Sequence, residues 1–110
     1  MIYYQEGSEN TVIGQNELEK GLYTALDKLG SRKKVLVIPP DCTRFHSRAG
    51  EITSLLYKYY KTDLKDILPA LGTHEPMTGE QIDEMFPGIP GELFRIHNWR
   101  KDVVTVGTVP

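Results

Sequence analysis

The chain has 110 residues, 39% of them hydrophobic and 25% charged, with a formal net charge of -2. That is globular composition for one small domain, and its near-neutral charge makes no electrostatic case for nucleic acid or an anionic membrane. The longest aliphatic run, Val35-Leu36-Val37-Ile38, is far too short to span a bilayer. The N-terminus is neither basic nor followed by an apolar stretch, so it does not read as a signal peptide. A single cysteine, Cys42, excludes an internal disulfide and fits a reducing, cytoplasmic setting.

Ile2-Tyr3-Tyr4 reads as a first strand, followed by turn-rich residues from Gly7 to Gly14. Asn16 then looks like a helix N-cap with Glu19 three residues on. Leu18, Leu22, Ala25, Leu26 and Leu29 recur at helical spacing, and Gly30 suits the C-terminal end. The run from Val35 to Ile38 lacks alternation and reads as a parallel strand covered on both faces. Pro39 and Pro40 end it, because proline cannot donate to a ladder.

After the loop from Asp41 to His46, Ser47 reads as the cap of a second helix whose apolar stripe is Ile52, Leu55, Leu56 and Tyr59. A strand is expected over Leu64 to Leu71, then a loop carrying His74. Thr78 with Gln81 forms a capping box for a third helix, in which Ile82, Met85 and Phe86 face inward and which Pro87 stops. Leu93 to Asn98 and Val103 to Val106 are the last strand candidates. Alternation of strands and helices implies an α/β fold: a three-layer, mainly parallel, Rossmann-like sheet with helices on both faces. The closing valine-rich segment has no helix after it, as though a longer protein continued.

In that topology the loops after Ile38 and Leu71 leave the same sheet edge, where open α/β sheets bind ligands. Asp41, Thr43, Arg44 and His46 would then face His74 and Glu75. Arginine offers a bidentate fork to a carboxylate or phosphate, and histidine exchanges a proton near neutral pH. The blander alternatives are an Asp41–Arg44 pair or cap, a plain surface histidine at His74 and a packed thiol at Cys42. Cys42, His46, His74 and His97 show no recognised metal-ligand spacing, so no complete metal site is expected within the chain. The residues by themselves reach an anion-binding α/β domain with a candidate acid–base histidine.

Two motifs go further. Val35 to Arg44, with Pro40-Asp41-Cys42-Thr43-Arg44 at its end, resembles the strand and Asp-Asp-Thr-Arg-Pro loop of the nickel-dependent lactate racemase family. Ala70-Leu71-Gly72-Thr73-His74-Glu75-Pro76-Met77-Thr78 resembles that family's Ala-Leu-Gly-Thr-His-Arg-Pro-Met-Thr segment. Phe94-Arg95-Ile96-His97-Asn98 is similar to a later strand of the same domain, and the likeness covers roughly Val35 to Val106.

The resemblance implies that residues 1–110 are an N-terminal domain whose C-terminal partner domain lies outside this chain. It implies a racemase or epimerase of a small-molecule 2-hydroxy acid, acting by hydride transfer to a nickel-pincer nucleotide, a pyridinium bisthiocarboxylate mononucleotide carrying nickel. His74 would be one of two histidines that alternate as base and acid on the substrate hydroxyl. Asp41, Thr43, Arg44, Gly72 and Thr73 would line the substrate and cofactor pocket. The second histidine, the cofactor-bearing lysine and the nickel-binding histidine of the family have no counterpart here, so the chain alone is expected to be inactive. Cys42, Phe45 and Glu75 depart from the family's aspartate, proline and arginine, and leave the hydroxy acid open. The alternatives are a nucleotide- or anion-binding module without redox chemistry, or a structural domain whose polar loops serve caps and an interface.

Overall fold

The computed structural model describes residues 1–110, a mixed α/β arrangement built around a short parallel sheet. Helix α1 spans Gln15–Leu29, strand β1 Val35–Val37, helix α2 Ala49–Tyr60, strand β2 Leu64–Ile67 and helix α3 Gly79–Met85. Short 3-10 turns at Cys42–Ser47, Lys61–Asp63 and Gly91–Leu93 fill the connections.

The sheet pairs β1 with β2 in parallel, matching Val35 to Leu64, Leu36 to Asp66 and Val37 to Ile67. Lys65 is the extra residue of a bulge, which keeps Leu64 and Ile67 on one face although they are three apart. The strands regularise over fewer residues than the apolar runs suggest, yet the ladder continues past them. Leu68 and Ala70 donate their amides to the carbonyls of Val37 and Pro39, each at 2.8 Å. Proline there needs only to accept, so the proline pair carries the register onward.

On the other edge of β2, Ile67 pairs with Phe94 and accepts the Arg95 amide at 2.8 Å, so the expected Leu93–Asn98 strand is reduced to a single bridge. Arg95 Nε also meets Asp66 Oδ1 at 2.6 Å. The core gathers on one side of this sheet: Leu26 from α1, Tyr60 from α2, Leu64 and Ile67 from β2, then Met85, Phe86 and Ile89.

Three expectations need correction. Ile2-Tyr3-Tyr4 is not a strand: it packs on α1, with the Tyr4 ring against Gly21 and Lys28 Nζ bonded to the Tyr3 carbonyl at 2.9 Å. A helix surface offers no ladder for an extended segment to join. Val103 to Val106 is also no strand; β-branched residues favour one only where a neighbouring strand takes up their backbone groups, and none pairs here. Finally, β1 is not covered on both faces. Val35 and Val37 pack against the core, whereas Leu36 is 52% and Ile38 61% exposed.

Two caps shift slightly. Gly14, not Asn16, precedes α1, and its carbonyl accepts the Leu18 amide. Arg48 stands at the head of α2 in a left-handed conformation (φ 62°), while Ser47 Oγ takes the Ala49 amide at 3.3 Å. The Thr78–Gln81 capping box forms as the sequence indicates, and Gly30 closes α1 with φ 82°.

Candidate functional site

Because β1 and β2 run in parallel, the loops that follow them start at one edge, level with the Pro40–Ala70 bridge. The first loop opens with Asp41, which caps the 3-10 turn as its side chain accepts from Thr43. Asp41 Oδ1 takes both the Thr43 amide, at 3.1 Å, and the Thr43 hydroxyl, at 2.5 Å. The second loop turns at Gly72, whose φ of 60° is open to glycine and strained for other residues. That turn closes with the His74 amide on the Leu71 carbonyl at 3.0 Å. It delivers the His74 ring to Asp41: Nδ1 lies 2.5 Å from Oδ2.

The loops are joined a second time by a contact that sequence reading missed. The Cys42 amide donates to Met77 Sδ at 3.2 Å. No sequence signal marks a methionine as an acceptor for a particular amide. Behind this contact, the last residue of α3 comes close to α2 at Gly50, where a Cβ would stand 2.0 Å from the Met85 carbonyl oxygen.

Asp41 is 4% exposed, and such burial by itself raises a carboxyl pKa. The hydrogen bonds from Thr43 and His74 outweigh it and hold the Asp41 carboxyl below its ordinary range. Ionised Asp41 is acceptor-only, so a neutral His74 must carry its proton on Nδ1, which leaves Nε2 with its lone pair. The His74 side chain is 53% exposed and no other protein group bonds it. The arrangement is thus a buried carboxylate orienting an accessible imidazole that can take a proton at Nε2 and return it.

Of the six site residues read from the sequence, the structure brings together Asp41, Thr43 and His74, with Gly72 as the turn that aims the ring. Arg44 does not pair with Asp41; its guanidinium is exposed and engages no protein acceptor. Thr73, His46 and Glu75 are exposed, and their side chains bond no protein group. Two cavities share residues with these loops. One of about 390 Å³ is lined by Phe45, Arg48, Ser54, Lys58 and Glu84 among others. Another of about 230 Å³ is lined by Leu71, Pro76, Met77 and Phe94 among others.

The chain contains no group of three or more His, Cys, Asp or Glu side chains placed to hold a metal ion. At this rim Arg44 leaves an unpaired cationic fork, the chemistry that a phosphate or carboxylate would need. No helix is long and apolar enough to cross a membrane. No protein-family model, no curated protein and no solved structure matches the chain.

Proposed function

We propose that this chain is the N-terminal half of a 2-hydroxy acid racemase or epimerase in which His74 moves the substrate's hydroxyl proton. The observation that carries the reading is the Asp41–His74 pair, which joins the two loops whose motifs resemble the nickel-dependent lactate racemases. Removing a hydride from a carbinol carbon requires the hydroxyl proton to leave in step. An imidazole held through Nδ1, with Nε2 accessible, suits that transfer in both directions.

Arg44 would hold the substrate carboxylate or the nucleotide phosphate by its unengaged fork. Bound in a longer protein, a nickel nucleotide would supply the hydride acceptor, and its metal ligands would come from outside these residues. In the same reading, the Rossmann-like third layer is completed by the rest of that protein, which covers Leu36 and Ile38.

The test is on the longer protein, purified from cells able to make the cofactor. Metal analysis and mass spectrometry should find nickel and a lysine-bound nucleotide. His74→Ala should lower turnover by about 10²- to 10⁴-fold, the usual worth of a general acid–base group, without loss of fold. Absence of both nickel and adduct, or full activity in that variant, overturns the proposal. A nucleotide- or anion-binding module is favoured instead if phosphate raises the thermal midpoint through Arg44 while no nickel is present.

A further inference from the structure

The site contains one interaction that pocket lining does not explain. Thr43 directs its hydroxyl at Asp41 Oδ1 rather than outward, and its amide makes a second bond to the same oxygen. A carboxylate turns easily about its last bond, so its two oxygens are interchangeable unless something distinguishes them. Here Oδ1 is engaged twice by Thr43 and Oδ2 once by His74. We propose that Thr43 is a positioning residue: by holding Oδ1 it leaves Oδ2 to His74, which keeps the imidazole in the Nδ1–H tautomer and one ring orientation. This rests on the reading of His74 as the proton-transferring group, and it reassigns Thr43 from a ligand contact to one that acts through Asp41.

Thr43 contributes through two separable parts. The amide bond belongs to the turn and persists whatever the side chain. The hydroxyl bond alone is lost in Thr43→Val, which keeps the shape, and is kept in Thr43→Ser. Thr43 is exposed, so neither change disturbs the core.

The experiment is nitrogen NMR of the 110-residue chain labelled at histidine, well above the ordinary histidine titration range. His74 should be mainly the Nδ1–H tautomer in the unaltered chain and in Thr43→Ser. In Thr43→Val the ratio of Nδ1–H to Nε2–H should fall roughly two- to tenfold, as the loss of one hydrogen bond of ordinary net strength gives. An unchanged ratio in Thr43→Val overturns the proposal. A second measurement needs no variant: couplings about the Thr43 Cα–Cβ bond should report a single rotamer, and averaged couplings would likewise overturn it.

In the longer protein, Thr43→Val should lower kcat about tenfold, as lost support behind a reacting group does, with KM unchanged and the rate restored by Thr43→Ser. A raised KM with an unaltered tautomer ratio would return Thr43 to the ligand and defeat the positioning role. If the tautomer responds as expected but the longer protein shows no racemase activity, the positioning stands and the racemase reading falls.

Discussion

The two faces of β1 carry nearly the same kind of residue and meet opposite fates. On the helix side, Val35, Val37, Leu64 and Ile67 enter the core, and Ile67 is 0% exposed. On the other side Leu36 and Ile38 lie largely in the open, next to Leu68 and the Asp66–Arg95 pair. Hydrophobicity along the strand does not differ between them; what differs is whether a helix packs there. Stability in this chain therefore comes from one face, and the bare face is free to meet something else.

Substitutions on the two faces should separate accordingly. Ile67→Ala leaves a cavity in the core and should cost about 2–5 kcal/mol, measured by urea unfolding at 25 °C. The paired change on the bare face, Ile38→Ser, should stay within about 0.5 kcal/mol. A large loss from Ile38→Ser would mean that the bare face is covered in solution.

Between these extremes lies the α2–α3 contact. Gly50→Ala forces a Cβ against the Met85 carbonyl and should cost about 1–3 kcal/mol by overpacking. Because α3 carries the His74 loop at its head, the same change should also loosen the Asp41–His74 pair. Unaltered His74 resonances in Gly50→Ala would show that α3 does not set the loop.

A smaller effect concerns Thr78, whose hydroxyl takes the Gln81 amide at 3.3 Å while Gln81 Oε1 takes the Thr78 amide at 2.9 Å. Thr78→Ala should cost about 1 kcal/mol, read from the same unfolding curves.

The smallest effect is in pH. Asp41 has a folded pKa below its unfolded value, so its contribution to stability is complete above the unfolded carboxylate range near about pH 4. It is lost as pH falls from there through the folded pKa. Asp41→Asn should flatten that acid limb, and an unchanged limb would mean the hydrogen bonds do not favour the ionised form.

Much of this was legible beforehand. Helical spacing of Leu18, Leu22, Leu26 and Leu29, the glycine at Gly30 and the Thr78–Gln81 box are local patterns that formed as read, whereas the caps expected at Asn16 and Ser47 moved to Gly14 and Arg48. Parallel pairing followed from the helix between two aliphatic runs. The strand-like segments at Ile2 to Tyr4 and Val103 to Val106 failed because a strand is a relation between two segments, and propensity describes only one. Cys42 and Met77 are joined by an amide–sulfur contact across 35 positions, which no spacing rule encodes.

The sequence by itself determined the three helices, the two strands between them and the residues able to do acid–base and anion chemistry, since these depend on side-chain type and short-range periodicity. Only the tertiary structure decided the partners. Asp41 went to His74 and Thr43 instead of Arg44, because parallel strands and a left-handed turn at Gly72 bring together loops 33 residues apart. It also decided that one face of β1 is covered and the other bare, because coverage depends on where the helices pack and not on the strand they would pack against.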